Sequence, residues 1–339
     1  MTLPETMTAL VLREDGYAKG GAGDMPTDLS SFLELTTLPV PQPKDGQALI
    51  KVARAAVNPS DLMFVSGQYG QPRKAGMPAG FEGAGEVVAG DTPLLGQRVS
   101  FFGMGWGTWA EYAIADTRMM IPLRPDLKDE DGAGLIVNPM TAMAMFDIVR
   151  ADGAGAFVFT AGGSQLGKFL IGLAKDAGIA AVPVVRRAEQ AETLKALGAA
   201  DVLVSTSPDF ADRAKAVMAE HGPRILLDAV ADQVTADLFS AMPRGARWVC
   251  YGRLATTPPR LDQMGQFIFM GKRIEGFWLS SWLRETPPEK VAQLVGEVQA
   301  RFASGAWHTD VSEVLPLADA LDRFPQVLAT KDAKVQIAP

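Results

Sequence analysis

The sequence predicts an α/β protein that combines a doubly wound parallel sheet with a second, β-rich domain. Its 339 residues suffice for roughly two domains at about 150 residues each. Strand-like apolar runs alternate with helical patterns through the middle of the chain, which is typical of βαβ units and a parallel sheet. Short apolar runs broken by glycine and proline fill the first third, which favours a compact sheet or partial barrel.

The β-rich part is predicted from Thr8 to about Arg124, where no long helical period interrupts the short runs. The predicted strands there span residues 9–12, 32–35, 48–57, 86–89, 98–102 and 109–114. The chain ends in one more strand-like run, at residues 334–337.

The parallel sheet is predicted between about Pro125 and Ser304, where strands and helices alternate. Its strands are predicted at residues 156–160, 180–185, 201–204, 224–230, 246–251 and 273–279. Its helices are predicted at residues 165–177, 188–197, 209–220, 232–242 and 287–303. Most of these strands are nearly continuous apolar runs, as expected for a sheet that is buried on both faces.

Composition excludes several classes of function. The net charge of −7 without a long basic patch argues against a nucleic-acid partner. One cysteine, Cys250, excludes an intrachain disulfide, and one cysteine with two histidines excludes a cysteine-rich zinc site, so we expect no metal. No run reaches the ~18 apolar residues of a membrane span, and the N-terminus lacks a basic targeting segment, so we expect a cytoplasmic protein.

A glycine loop opens the first βα unit. It reads Phe159-Thr160-Ala161-Gly162-Gly163-Ser164-Gln165-Leu166-Gly167. Backbone N–H groups at such a helix start bind phosphate, and glycine allows close approach of a pyrophosphate. The loop departs from the strict dinucleotide fingerprint, and a plain strand–turn–helix link is the alternative. The alternating strands that follow favour a dinucleotide.

Two arginines, Arg186 and Arg187, follow the second predicted strand. An NAD site usually carries an acidic residue near this place, because a carboxylate accepts a hydrogen bond from the ribose 2′-hydroxyl. Guanidinium groups instead bind a 2′-phosphate through charge-assisted hydrogen bonds. The pair therefore favours NADPH over NADH, although a solvated helix start would also explain two basic residues.

These motifs resemble the medium-chain dehydrogenase/reductase superfamily over nearly the whole chain. The zinc alcohol dehydrogenases of that superfamily place a cysteine just before a Thr-Asp or similar pair, where this chain reads Asn58-Pro59-Ser60-Asp61. The resemblance therefore points to the zinc-independent branches. It implies a GroES-like catalytic domain formed by residues 1–125 and 305–339 around a Rossmann NADP-binding domain at residues 126–304. It also implies a homodimer.

Among those branches, the sequence is similar to 2-enoyl thioester reductases of the mitochondrial enoyl reductase type. The stretches that carry this likeness are Asn58-Pro59-Ser60-Asp61 with Ser66-Gly67-Gln68-Tyr69-Gly70, Gly107-Thr108-Trp109, Val137-Asn138-Pro139-Met140-Thr141-Ala142, Val184-Val185-Arg186, and Gly276-Phe277-Trp278-Leu279-Ser280-Ser281-Trp282. The last stretch is long and unusual, so it is the most specific.

The resemblance implies a role for particular residues. Tyr69 corresponds to the catalytic tyrosine, which would assist proton transfer or stabilise an enolate. The implied cofactor contacts are Asn138, Gly163, Ser164, Gln165, Leu166, Arg186, Arg187, Tyr251, Gly252, Arg253, Leu254, Phe277, Trp278, Leu279, Ser280 and Lys334. Ala188 stands where the family often has a further basic residue, which weakens the expected NADP preference somewhat.

Three functions stay open at this stage. The first is an NADPH-dependent reductase of the activated C=C bond in 2-enoyl thioesters carried by coenzyme A or acyl carrier protein. The second is an NADPH:quinone or small enone reductase of the same superfamily. The third is a non-enzymatic NADPH-binding protein, because a dinucleotide fold alone does not fix a function. Tyr69 and the segment 277–282 favour the thioester. We expect Glu82 to be structural and Cys250 to be inert.

Overall fold

The computed structural model describes residues 3–19, 23–103, 105–329 and 334–339. The chain divides into two compact units. The first unit comprises Met1–Val137 and Val295–Pro339, and the second comprises Asn138–Leu294. The unit boundaries thus lie after residues 137 and 294, whereas the sequence pattern placed them after residues 125 and 304.

The described strands are numbered in chain order. They are β1 (Thr6–Leu12), β2 (Leu33–Pro39), β3 (Gln47–Val57), β4 (Glu82–Ala89), β5 (Arg98–Phe102), β6 (Tyr112–Asp116), β7 (Met120–Pro122), β8 (Ala156–Phe159), β9 (Ala180–Val185), β10 (Leu203–Val204), β11 (Ile225–Asp228), β12 (Arg247–Cys250), β13 (Arg273–Gly276), β14 (Val311–Pro316) and β15 (Lys334–Ala338).

The described α-helices are numbered in the same way. They are α1 (Pro59–Val65), α2 (Asp129–Ala133), α3 (Val137–Asp152), α4 (Gln165–Ala177), α5 (Gln190–Leu197), α6 (Phe210–His221), α7 (Gln233–Ala241), α8 (Gly265–Met270), α9 (Leu279–Glu285), α10 (Pro288–Ala303) and α11 (Ala320–Val327).

The first unit is built on a mixed sheet with the strand order β14-β15-β3-β4-β5-β7, and β6 also pairs with β3. The C-terminal strand β15 lies inside this sheet, antiparallel to β3, with Val335 opposite Val57. Trp109 is fully buried in the core of the unit, where its indole donates a hydrogen bond to the Ala56 carbonyl at 3.0 Å. The pairing of β15 with β3 brings Lys334, the first residue of β15, next to Asn58.

The second unit contains a parallel sheet whose described strands follow the order β10-β9-β8-β11-β12-β13. The first strand of this unit, β8, is fully buried in the middle of the sheet, because the chain moves outward from it first in one direction and then in the other. Crevices at such a reversal of strand order bind ligands in doubly wound folds. Helix α4 ends where the sequence predicts, since Gly178 adopts a left-handed φ of 66°.

One predicted strand is shorter than expected. The run 273–279 was interpreted as a single strand, but β13 ends at Gly276 and helix α9 begins at Leu279. Trp278 has an extended backbone at the cap position of this helix, so the apolar residues 277–279 change from strand to helix without a polar signal. Periodicity cannot separate the two structures over so short an apolar run.

Candidate active site

The glycine loop lies at the carboxyl end of β8, directly before helix α4. The Ser164 hydroxyl caps this helix by accepting a hydrogen bond from Gly167 N at 3.1 Å. A Cβ on Gly167 would lie 2.4 Å from the Gly162 carbonyl oxygen, so the close contact between helix and loop requires glycine. A capped helix start beside a glycine loop fits a bound pyrophosphate.

The four predicted phosphate-loop residues differ in exposure, and therefore in which of their atoms could contact a ligand. Ser164 is exposed, whereas Gly163 and Gln165 are partly exposed. The Leu166 side chain is buried in the core, so this residue can meet a ligand only through its backbone. The prediction for Leu166 is therefore restricted to its N–H group.

Two further predicted cofactor segments follow the neighbouring strands β12 and β13. Tyr251 N and Leu254 N donate hydrogen bonds to the carbonyls of Asp228 and Ala229, at 2.8 and 2.9 Å. Phe277 N donates to the Cys250 carbonyl at 2.8 Å. Because these strands are parallel to β8, both segments lie at the same sheet edge as the glycine loop. They comprise Tyr251, Gly252, Arg253 and Leu254 and then Phe277, Trp278, Leu279 and Ser280.

Burial raises the pKa of two titratable groups at this edge. It raises the pKa of the Cys250 thiol to about 12, with the Asp228 charge as a second cause. Burial and the same charge also raise the pKa of the Tyr251 phenol. A thiol of such high pKa is a poor nucleophile, which agrees with the expectation that Cys250 is inert.

The arginine pair lies just after β9, and both residues are exposed. The Thr206 hydroxyl donates to the Arg186 carbonyl at 2.7 Å and so fixes the backbone at this place. Arg187 Nε lies 3.8 Å from Glu189 Oε1. An ion pair between exposed side chains contributes little, so it would not hold Arg187 away from an anionic ligand.

Tyr69 lies in the first unit, on the loop that follows helix α1. Its ring centroid lies 5.1 Å from that of Phe81, and the Phe81 ring also contacts Phe64 and Phe102 at 5.1 and 5.8 Å. Tyr69 itself is partly exposed. Its aromatic body is thus supported from one side by a cluster of phenylalanines.

A buried arginine, Arg73, holds the loop that carries Tyr69. It donates to the carbonyls of Val65 and Gly16, at 3.0 and 3.1 Å, and to Glu14 Oε2 at 3.0 Å. Inside this loop Gly67 has a left-handed φ of 72°, and a Cβ there would lie 2.6 Å from a backbone nitrogen. The geometry of this loop therefore depends on both Arg73 and Gly67. The sequence pattern did not predict the role of Arg73.

Four polar residues of the first unit form a cluster in which three side chains are buried and one, Lys334, is partly exposed. Asn58 Nδ2 donates to Glu82 Oε1 at 2.8 Å, and Lys334 Nζ donates to Asn58 Oδ1. Asp61 accepts hydrogen bonds from the backbone of Asn58 and Phe81, both at 2.7 Å. Asp61 therefore fixes the backbone of the same Phe81 that contacts Tyr69.

Burial shifts the acidities of the cluster. It raises the pKa of Asp61 to about 7 and also raises the pKa of Glu82, whereas it lowers the pKa of Lys334. The ammonium of Lys334 opposes the shift of both carboxyl groups. Glu82 Oε2 also accepts backbone hydrogen bonds from Ile136 and Val137, at 3.0 and 2.8 Å. These bonds give Glu82 the structural role that the sequence predicts.

The remaining predicted residues are distributed over both units. Asn138 is the second residue of helix α3 and is partly exposed. Lys334, predicted as a cofactor contact, donates to Asn58 within the first unit, so its role toward a cofactor stays a prediction. Sequence reasoning also missed Asp228, a fully buried carboxylate at the end of β11. The sequence feature that could have indicated Asp228 is its place as an acidic residue at the end of an apolar strand.

Within the residues that the structure describes, no group of three His, Cys, Asp or Glu side chains is arranged to hold a metal ion. A search of the same residues finds no helix with the length and apolar character needed to cross a membrane.

Comparisons with known proteins agree with this architecture. The family model of the alcohol dehydrogenase GroES-like domain matches residues 44–125, and that of the zinc-binding dehydrogenases matches residues 166–297. The chain is 27% identical over 306 residues to the mitochondrial enoyl-[acyl-carrier-protein] reductase of Bos taurus, covering 87% of this chain and 81% of the relative. It is 30% identical over 270 residues to the enzyme of the same name from Arabidopsis thaliana, covering 75% and 70%.

A solved structure from Mesorhizobium loti is similar over 100% of both chains, with 48% identity and a TM-score of 0.96. That protein carries a provisional assignment as an NADPH:quinone reductase. The described fold is that of a GroES-like domain joined to a parallel-sheet dinucleotide domain. The chain belongs to the medium-chain dehydrogenase/reductase superfamily, in the branch of the enoyl reductases and NADPH:quinone reductases.

Proposed function

We propose that this protein is an NADPH-dependent reductase of the activated C=C bond in 2-enoyl thioesters. The observation that carries the proposal is Tyr69, a phenol on a loop held by Arg73 and packed against Phe81. The curated relatives named above are enoyl reductases, which supports the same substrate class. The acyl carrier would be coenzyme A or acyl carrier protein.

The second unit supports NADPH as the cofactor. The helix start at Gly163, Ser164 and Gln165 would meet the pyrophosphate, and Arg186 and Arg187 would bind the 2′-phosphate. When bound, NADPH supplies the hydride that adds to the β carbon of the substrate. The close contact at Gly167 and the cap at Ser164 support this role of the loop.

The role proposed for Tyr69 follows from the charge that conjugate reduction creates. Addition of hydride at the β carbon leaves an enolate, and a proton must then reach the α carbon. A phenol can donate a hydrogen bond to the enolate oxygen or supply this proton, without a metal ion. The phenylalanine cluster would restrict the ring to a few orientations, which favours proton transfer in a fixed geometry.

An NADPH:quinone reductase is the second candidate. The Mesorhizobium loti protein, which is similar over the whole chain, carries that provisional assignment. A quinone takes both of its protons on oxygen, so its reduction depends less on a phenol that delivers a proton to carbon. The two candidates therefore differ in how strongly they need Tyr69.

Oxidation of NADPH by purified protein, followed at 340 nm, separates these candidates. We expect turnover with crotonyl-CoA and with longer 2-enoyl-CoA esters, and a saturated thioester as the product by mass spectrometry. The enoyl esters should have a higher kcat/KM than simple quinones. Fast turnover of quinones with no saturated thioester formed would contradict the proposal and support the second candidate.

We also propose a homodimer that forms through the exposed edge strand β13 and helix α8 of the second unit. Apolar side chains at Ile268, Phe269 and Ile274 are 74%, 72% and 41% exposed. Strand β13 lies at the end of the described parallel sheet, where its outer backbone groups can pair with a second copy. Identical edges can pair with each other around a two-fold axis, which is the commonest symmetry of oligomers.

A further inference from the structure

Five adjacent strands of the second unit end at the edge that carries the proposed cofactor residues. Four of them, β9, β8, β12 and β13, lead into segments that the sequence analysis assigned to the cofactor. The fifth strand, β11, lies between β8 and β12 and has no such assignment. It ends at Asp228, which has no exposed surface.

The Asp228 carboxylate accepts hydrogen bonds from neutral donors on both of its oxygens. Oδ1 accepts from the Thr160 hydroxyl at 2.6 Å and from Val230 N at 2.9 Å. Oδ2 accepts from Ala231 N at 3.0 Å and from the Trp248 indole at 2.9 Å. Each oxygen thus accepts from at least one N–H group. An amide at this position would therefore set its NH₂ against at least one buried N–H in either orientation.

These bonds join two strained pieces of backbone. Ala161 and Ala231 have φ values of 51° and 59°, and they are the non-glycine residues with positive φ in the described part of the chain. Ala161 follows Thr160 in the glycine loop, and Ala231 N donates to Asp228 Oδ2. Left-handed conformations persist at non-glycine residues only where the surrounding structure holds them, and they concentrate at functional sites.

The main chain at Asp228 also supports the loop that follows β12. Tyr251 N and Gly252 N donate to the Asp228 carbonyl at 2.8 and 3.3 Å. The Thr160 hydroxyl in turn accepts a hydrogen bond from Ala229 N at 2.9 Å. A single residue thus connects the glycine loop on one side with the 251–254 loop on the other.

We propose that Asp228 is a positioning residue of the cofactor site, which sets the backbone of both loops through Thr160 and through its own carbonyl. This inference rests on the proposed binding of NADPH. Asp228 would not touch the cofactor, because it is fully buried. Its carboxylate would hold the glycine loop in the one conformation that receives a pyrophosphate.

The test measures NADPH affinity by titration calorimetry in the parent protein and in three variants. Asp228→Asn and Thr160→Val should each raise the Kd for NADPH at least tenfold. Thr235→Val is the matched control, because Thr235 is also buried and donates only a long hydrogen bond to Asp228 Oδ1, at 3.4 Å. Its shorter hydrogen bond goes to Asp232 Oδ1 at 2.9 Å, within the turn that starts helix α7 and away from the glycine loop. This control should stay within about twofold of the parent.

A second measurement, hydrogen exchange without cofactor, separates this inference from the proposed function. Asp228→Asn and Thr160→Val should speed amide exchange in residues 161–167, whereas Thr235→Val should not. If the parent does not bind NADPH, the proposed function is contradicted, and the exchange rates still test whether Asp228 holds the glycine loop. Parent-like exchange in a folded Thr160→Val protein, or a parent-like Kd in that variant, would overturn the positioning role, even if Asp228→Asn fails to fold.

Discussion

At the scale of single residues, we propose that the exposed guanidinium groups of Arg186 and Arg187 select NADPH over NADH, two cofactors that differ by one phosphate. Each group can form a charge-assisted hydrogen bond to a 2′-phosphate, and one such bond contributes about 1.5–3 kcal/mol. NADH offers a hydroxyl in the same place and gains nothing from this charge. On this proposal the preference for NADPH depends on the side chains of Arg186 and Arg187.

We predict that NADPH binds at least tenfold more tightly than NADH. Arg186→Ala and Arg187→Ala should each weaken NADPH binding about tenfold or more and leave NADH binding nearly unchanged, because NADH carries no 2′-phosphate for these guanidinium groups to bind. Arg150→Ala removes an exposed arginine elsewhere in the second unit and serves as the control. Equal dissociation constants of the parent for the two cofactors would contradict the assignment.

Residue identity alone could not predict the polar cluster in the first unit. Asn58 and Lys334 are separated by 276 positions and meet only because β15 pairs with β3. The sequence shows Lys334 at the start of a strand-like run, where a lysine is ordinarily solvated. Asp228 was missed for a similar reason, since its donors come from β12 and from the loop after β8 as well as from its own turn.

At the scale of elements, the close contact of helix α4 with its own loop requires glycine at position 167. We predict that Gly167→Ala lowers the stability by about 1–3 kcal/mol, because the new methyl group would overlap the Gly162 carbonyl. Gly296→Ala is a control with the opposite expected sign. Gly296 lies exposed within α10 with open space around it, so alanine there should raise the free energy of unfolding by about 0.5–1 kcal/mol. Thermal unfolding measures both changes, and a neutral Gly167→Ala would contradict the description of this loop.

A buried lysine between elements gives the protein a specific pH dependence. Lys272 donates to the carbonyls of Phe239 and Ser240 and to the Gln266 side chain, so it links α7 to α8. Burial lowers its pKa to about 8 from the ordinary value of 10.5. Between these values the folded protein has lost a proton that the unfolded chain retains, so stability rises with pH by about 1.4 kcal/mol per unit.

Lys272→Met should remove this rise. The free energy of unfolding of the parent minus that of the variant, from denaturant titrations, should therefore increase from pH 8 to pH 10. A difference that stays constant over this range would show that Lys272 keeps its proton in the folded protein.

The predicted elements were most accurate where both faces of a strand are buried. Helix α4 and strand β9 have the predicted bounds, because continuous apolar runs and a glycine stop mark them clearly. Helix α9 was assigned to a strand, since residues 277–279 carry no signal at the change of structure. The short helix α1 also went unnoticed, because its cap is formed by Asn58 and Asp61 within a segment that reads as a loop.

At the scale of the whole molecule, the apolar side chains on α8 and β13 are the basis for the proposed homodimer. We predict a dimer in sedimentation experiments at micromolar concentration, and a monomer for Phe269→Asp and for Ile268→Asp, because a buried charge opposes association. Leu95→Asp places the same charge at an apolar residue of the first unit that is 56% exposed, and it should remain dimeric. A monomeric parent would contradict the proposal.

The central claim is that the Tyr69 phenol assists the reduction of a 2-enoyl thioester. The most direct test compares Tyr69→Phe with the parent, using crotonyl-CoA and NADPH, and with Tyr17→Phe, an exposed tyrosine of the same unit, as the control. We predict that kcat falls by about 10²–10⁴ with KM nearly steady and with unchanged affinity for NADPH, because the interaction forms in the transition state. A Tyr69→Phe protein with near-full activity on enoyl thioesters would contradict the account.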